Sequence, residues 1–205
     1  MTQNKKYIGL TGGIASGKSA ASGILRSLGQ EVIDADQLAR QVVLPKSPGL
    51  RQVENHFGPH IIQPTGQLDR ERLAQIIFKD EEARKALNQI LHPLIFEEML
   101  AQAKKTKSPL VFFDSPLLYE LYEDHLRAGL HFDDIWLVYV PRDLQVRRLQ
   151  ERDQIPLSYA QEKINAQMDL EEKKKRAGLV LDNQGDLKDL ADQIQRALKK
   201  LRKGA

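Results

Sequence analysis

One local pattern restricts this chain more than any other. The strand-like run Tyr7-Ile8-Gly9-Leu10 leads, through Thr11, into Gly12-Gly13-Ile14-Ala15-Ser16-Gly17-Lys18-Ser19, and a helical segment follows at once. These eight residues fit G-x-x-x-x-G-K-[ST] at every fixed position. Glycines at 12 and 17 let the backbone curl and turn several N–H groups towards one centre. The helix that starts at the loop's end aims its positive pole at the same place. Lys18 then reaches the β- and γ-phosphates of a nucleotide, and Ser19 offers an oxygen to Mg²⁺. A strand before the loop and a helix after it are the context the pattern requires. From Ser19 to Leu28 the apolar residues Ala21, Ile24, Leu25 and Leu28 recur at helical spacing, with Gly29 as the stop.

The rest of the chain extends this α/β beginning. Glu31-Val32-Ile33-Asp34 reads as a second strand, with a helix starting near Asp36. Leu110 to Asp114 reads as a third, Ile135 to Val140 as a fourth, and Leu179 to Leu181 as a fifth. Leu187 to Arg202 reads as a terminal amphipathic helix. Strands alternating with helices imply a parallel sheet covered on both faces. Residues 45–107 are helical in pattern and too long for a simple crossover. Leu73, Ile76 and Ile77 form one apolar face there, and Leu87, Ile90, Leu91 and Leu94 another; Pro93 is expected to kink or restart the helix. We read this stretch as a helical insertion for the phosphate acceptor, within a core of 1–44, 108–141 and 177–205.

Two carboxylates sit where a nucleotide-dependent transfer needs them. Asp36 follows the second strand, and ligands of open α/β sheets bind beyond the carboxyl ends of strands. It is a candidate base for an attacking hydroxyl; helix N-capping is the alternative. Asp114 ends the third strand. It is a candidate to hold Mg²⁺ directly or through water, or else a cap or turn residue. Gln145, Arg148 and Arg152, spaced i, i+3, i+7, share a helix face. Two arginines so placed suit a triphosphate between them, or simply solvent. The run Lys173-Lys174-Lys175-Arg176 reads as a solvated helix end, with contact to phosphates the alternative.

Composition narrows the function classes. The chain has 205 residues, no cysteine, and 31 basic against 28 acidic residues. Disulfides and thiolate metal sites are excluded, and a charge of +3 is too mild for a general nucleic-acid binder. No apolar run approaches the ~20 residues that span a bilayer, and the first residues carry no apolar leader core. A cytoplasmic location is expected.

Taken together these residues resemble the dephospho-coenzyme A kinase family. The likeness runs through Gly9-Leu10-Thr11-Gly12-Gly13-Ile14, Gly17-Lys18-Ser19, Val32-Ile33-Asp34-Ala35-Asp36 with Ala39-Arg40, and Phe57-Gly58. It continues through Leu68-Asp69-Arg70, Leu87-Asn88, His92-Pro93, and Asp114 with Pro116-Leu117-Leu118. Gln145, Arg148, Arg152, Gln167, Glu171 and Asp182-Asn183-Gln184-Gly185 complete it. The resemblance implies a P-loop three-layer α/β/α fold with a five-stranded parallel sheet, a helical acceptor-binding insertion at 45–107 and a helical lid at 142–176. It implies ATP and dephospho-coenzyme A as substrates, Mg²⁺ as cofactor, a monomer or weak homo-oligomer, and neither nucleic acid nor membrane as partner. It assigns Asp36 as base and Arg148 as a lid residue near the transferred phosphoryl, with Lys18 catalytic. ATP would lie against residues 12–20, including Gly13, Ile14, Ala15, Ser16 and Ala20, and against Arg148 and Asn183. The acceptor would meet Asp36, Arg40, Leu87, His92, Pro116 and Leu117; Ser19 and Asp114 would serve the metal. Four positions depart from the family pattern, Ser115 and Gly178 among them. Ala20 replaces a common threonine. Ala15 replaces a common glycine, which matters only if position 15 needs a positive φ.

Overall fold

Each of the five apolar runs is long enough for one strand and too short for a stable helix, and all five join one sheet. The computed structural model describes residues 5–203. The start of the chain, Met1 to Asn4, where no leader is expected, lies outside them. The strands are β1 (Lys6–Gly12), β2 (Glu31–Asp34), β3 (Leu110–Asp114), β4 (Asp134–Tyr139) and β5 (Leu179–Asp182), in the order β2-β3-β1-β4-β5. The sheet is parallel throughout. Ile8 is in register with Phe112 and Leu10 with Asp114 on one side, and Leu10 with Trp136 on the other. Parallel pairing brings the ends of β1, β3, β4 and β5 out on a single edge, where the phosphate loop begins.

Alternation along the strands sorts side chains to two faces. Ile8, Leu10, Phe112, Trp136, Val138 and Leu181 point to one face. There they pack with Ala21 and Leu25 of α1 (Lys18–Ser27) and with Leu190, Ile194 and Leu198 of the terminal helix (Leu187–Lys203). On the other face Leu137, Tyr139 and Val140 pack with Leu170 and partly buried Leu144. Both faces are covered, as a parallel sheet requires.

The chain divides into two compact units. One runs to Ile33 and resumes at Thr106; the other is Asp34–Lys105. The second unit is helical: α2 (Ala35–Gln41), α3 (Pro48–Phe57), a 3-10 turn (Pro59–Ile61), α4 (Arg70–Lys79) and α5 (Glu81–Lys105). Val43, Leu50, Val53, Ile61, Leu68, Leu73 and Leu87 form its core. Pro93 neither stops nor restarts α5, which is one helix through it. An interior proline costs a helix about 3 kcal/mol. Buried Leu87 before it and buried Ile95, Phe96, Met99 and Ala103 after it hold the helix together. The first unit carries α6 (Tyr122–Arg127), α7 (Arg142–Asp153), α8 (Leu157–Asn165), α9 (Leu170–Arg176) and α10 (Leu187–Lys203).

Candidate active site

The phosphate loop closes as its residues require. Gly17 caps α1 with φ 91°, a conformation that strains any residue bearing a Cβ. A Cβ there would also lie 2.0 Å from Asn183 Nδ2, which donates to the Ser16 carbonyl at 2.8 Å. Asn183 is buried and so braces the loop from beneath. Position 15 does need a positive φ: Ala15 sits at 59°. That costs an alanine of order 1 kcal/mol. Its methyl and Ile14 pack on a small core of Leu149, Ala160 and Ile164, which offsets part of the strain. Ser16 is fully buried, and its hydroxyl has no hydrogen-bond partner among the described residues.

Lys18 and Asp114 meet directly. Lys18 Nζ donates to Asp114 Oδ1, and Ser22 Oγ donates to Asp114 Oδ2. Asp114 is 2% exposed, so it is no surface cap or turn residue. Ser22 went unread in the sequence, although it lies one helical turn beyond Lys18 and therefore on the same face of α1. A carboxylate has about four lone-pair sites, so Asp114 keeps acceptor capacity beside these two donors. Ser19 is exposed in the first turn of α1.

One residue of the basic run in α9 corrects the sequence reading, while Lys174, Lys175 and Arg176 are exposed as expected. Lys173 is wholly buried, not solvated. Its ammonium donates to Pro116 O at 2.9 Å and Gly12 O at 3.4 Å, and pairs with Glu120 Oε1 at 2.9 Å. Burial lowers its pKa below the ordinary lysine value, against the pull of Glu120. One cation thus ties the end of β1 and the turn after β3 to α9. Its sequence signal was there: Lys173 lies i+3 from buried Leu170 and i−4 from partly buried Ala177.

The three residues of the α7 face have separate fates. Gln145 is buried and donates to the Ile14 carbonyl at 2.7 Å. Arg148 is half-buried and makes no ion pair or hydrogen bond among the described residues. Arg152 is exposed and turns to Asp153, Nε at 2.7 Å and Nη2 at 3.2 Å. Gln167, from the turn between α8 and α9, accepts from the Ile14 amide at 2.8 Å. The Ile14 N–H is therefore committed to a side chain.

In the helical unit, Asp34 caps α2 by accepting from Gln37 N at 3.0 Å, so the cap is not Asp36. Asp36 and Arg40 are exposed on α2, and Leu87 belongs to the unit's core. The His92 ring lies 5.8 Å from that of Phe96. In the other unit Pro116 is half-buried and Leu117 exposed.

A parallel sheet in this order, with a Gly-Lys-Ser loop between β1 and α1 and a buried aspartate ending β3, defines a P-loop phosphotransferase. The comparisons narrow this. The Dephospho-CoA kinase family model matches residues 6–189. A Dephospho-CoA kinase of Shouchella clausii is 45% identical over 196 residues, 94% of this chain and 97% of that one. A solved structure, TT1252 from Thermus thermophilus, has a TM-score of 0.79 at 34% identity, covering 97% and 98% of the two chains. Dephospho-CoA kinase from Campylobacter jejuni has a TM-score of 0.65 at 26% identity, covering 96% and 97%. The chain belongs to the dephospho-CoA kinase family.

Proposed function

We propose that this chain transfers the γ-phosphoryl group of ATP to the ribose 3′-hydroxyl of dephospho-coenzyme A, giving coenzyme A and ADP, the last step of coenzyme A synthesis. The observation that carries the reading is Lys18 held against buried Asp114 at the mouth of a closed phosphate loop, in a chain whose residues 6–189 match the family model. The loop amides and the Ser16 hydroxyl take phosphate oxygens, and Lys18 leaves Asp114 for the β- and γ-phosphates. Ser19 and Asp114 offer the hard oxygen donors that Mg²⁺ prefers. Bound there, the ion would neutralise charge on the phosphates. Asp36 takes the proton of the 3′-hydroxyl. The 3′-oxygen bonds to phosphorus as the bond to the β–γ bridging oxygen breaks, and ADP leaves. Arg148 supplies positive charge to the transferred group, and the region of Asn183 neighbours adenine.

We assign 45–107 to acceptor binding, with Arg40, His92, Pro116 and Leu117 at the acceptor, and 142–176 to a lid that excludes water. The working location is the cytoplasm; no described helix is long and apolar enough to cross a membrane. A panel of acceptors with ADP release as readout tests the substrate. Dephospho-coenzyme A should be preferred over nucleosides, nucleoside monophosphates and shikimate, and preference for any of these would overturn the reading. Asp36→Asn should cut kcat by ~10²–10⁴ if it is the base; unchanged kcat would remove that role.

A further inference from the structure

Two glutamines grip one residue of the phosphate loop, each through one of the two peptide units that flank it. Gln145 of α7 donates to Ile14 O, and Gln167, just after α8, accepts from Ile14 N. Side-chain chemistry fixes each orientation, since only the amide nitrogen can serve a carbonyl and only the amide oxygen an N–H. The two anchors bracket residues 146–166, which include Arg148. The small core inside this bracket, Leu149, Ala160 and Ile164, is completed by Ile14 and Ala15 of the loop. The fit is close. A Cβ on Gly13 would come within 2.7 Å of Gln145 Nε2 and 3.1 Å of Leu170 Cγ. Arg148 lies one helical turn beyond Gln145 on the same face.

We propose that Gln145 and Gln167 are positioning residues for phosphoryl transfer: by clamping the backbone of Ile14 on both sides they hold the phosphate loop in register with the helix that carries Arg148. The proposal rests on the Arg148 role given above. The Ile14 N–H is already taken by Gln167, so loss of the clamp leaves the other cradle donors intact. What it releases is the placement of Arg148. A misplacement of ~1 Å near a reacting centre costs up to about 10²-fold in rate, and this falls on kcat in preference to ATP binding.

Gln145→Met and Gln167→Met keep length and remove the amide. With ATP and dephospho-coenzyme A as substrates, each should lower kcat about tenfold, the worth of roughly one hydrogen bond. KM for ATP should stay within about twofold, because the remaining cradle is untouched. In an Arg148→Ala background the Gln145→Met loss should shrink below about twofold, as for two groups acting through one contact. Unchanged kcat in both glutamine variants would overturn the proposal. So would a raised ATP KM with normal kcat, or a full tenfold loss that persists without Arg148. Should Gln145→Met fail to fold, Gln167→Met in the turn gives the same readout. Normal turnover of Arg148→Ala alone would remove the Arg148 role and with it the clamp's mode of action, whereas lowered turnover of Arg148→Ala with an undiminished glutamine loss would overturn the clamp alone.

Discussion

Replacing Lys173 by methionine tests whether a buried ammonium organises the phosphate loop. Methionine keeps most of the apolar stem and deletes the charge. The contact to Gly12 O, at 3.4 Å, contributes little; those to Pro116 O and Glu120 Oε1, both at 2.9 Å, are good hydrogen bonds. Hydrogen bonds to charged groups contribute roughly 1.5–3 kcal/mol each. Two effects reduce the sum. The Glu120 side chain is 22% exposed and keeps its bond from Met168 N at 2.9 Å, so water and that amide recover much of its loss. Desolvation already lowers the Lys173 pKa, so deleting the ammonium also removes a burial cost. A net loss of about 2 kcal/mol follows, less than the 3–5 kcal/mol of breaking a fully buried pair. For a chain of this size that is about 4–8 °C in Tm, readable by calorimetry with urea midpoints as a second measure. The pH dependence has a definite sign. The folded pKa lies below the unfolded value of 10.5. Between the two, the native chain has released a proton that the unfolded chain still binds, so wild-type stability rises with pH relative to Lys173→Met. An unchanged or raised Tm, or a stability difference flat with pH up to 10.5, would refute the assignment.

Three further outcomes are expected. The Tyr119 hydroxyl is buried without a partner among the described residues, and burial pushes its pKa up to about 12. Tyr119→Phe should therefore leave stability unchanged or raise it by about 1 kcal/mol, and a loss beyond ~1 kcal/mol in urea unfolding would show a hidden partner. Gly178→Ala would set a Cβ 1.8 Å from Asp134 Oδ1, which must swing away from Ile135 N and with it loosen the Trp136 Nε1 contact of Oδ2. A loss of roughly 1–3 kcal/mol should result, and unaltered stability would show that the loop yields freely. Asp153 accepts from Arg152 and Lys163, which hold its pKa down at about 2. The stabilisation from this contact is present above the unfolded value of 3.8 and fades as pH falls through about 2. A carboxyl titration by NMR that centred near the unfolded value would contradict it.

Much of this architecture was legible because it is local. The phosphate loop is specified by eight consecutive residues, and each strand by its own apolar run. The strand order was not legible: β1 lies between β3 and β4, and nothing within β1 names partners more than a hundred residues away. The restart expected at Pro93 failed for a related reason, since a local penalty was outweighed by buried side chains on both sides of it. The charged segments were hardest. Gln145, Arg148 and Arg152 share one stripe, yet one is buried against a carbonyl, one has no partner among the described residues, and one pairs with its neighbour. Periodicity names the face of a helix; what the face meets depends on where the next element packs.

Lys173 and the two glutamines show why that matters for the chemistry. A phosphate loop presents backbone amides, and no side chain of its own can fix their direction. Gly12, Ile14 and Ser16 instead have their carbonyls engaged by Lys173, Gln145 and Asn183, all distant in sequence. The motif supplies the donors, and the second half of the chain sets where they point. A family that keeps the eight-residue pattern can therefore change the loop's geometry through residues the pattern does not include. Transplanting residues 12–19 alone into an unrelated strand–loop–helix should give nucleotide affinity without comparable turnover.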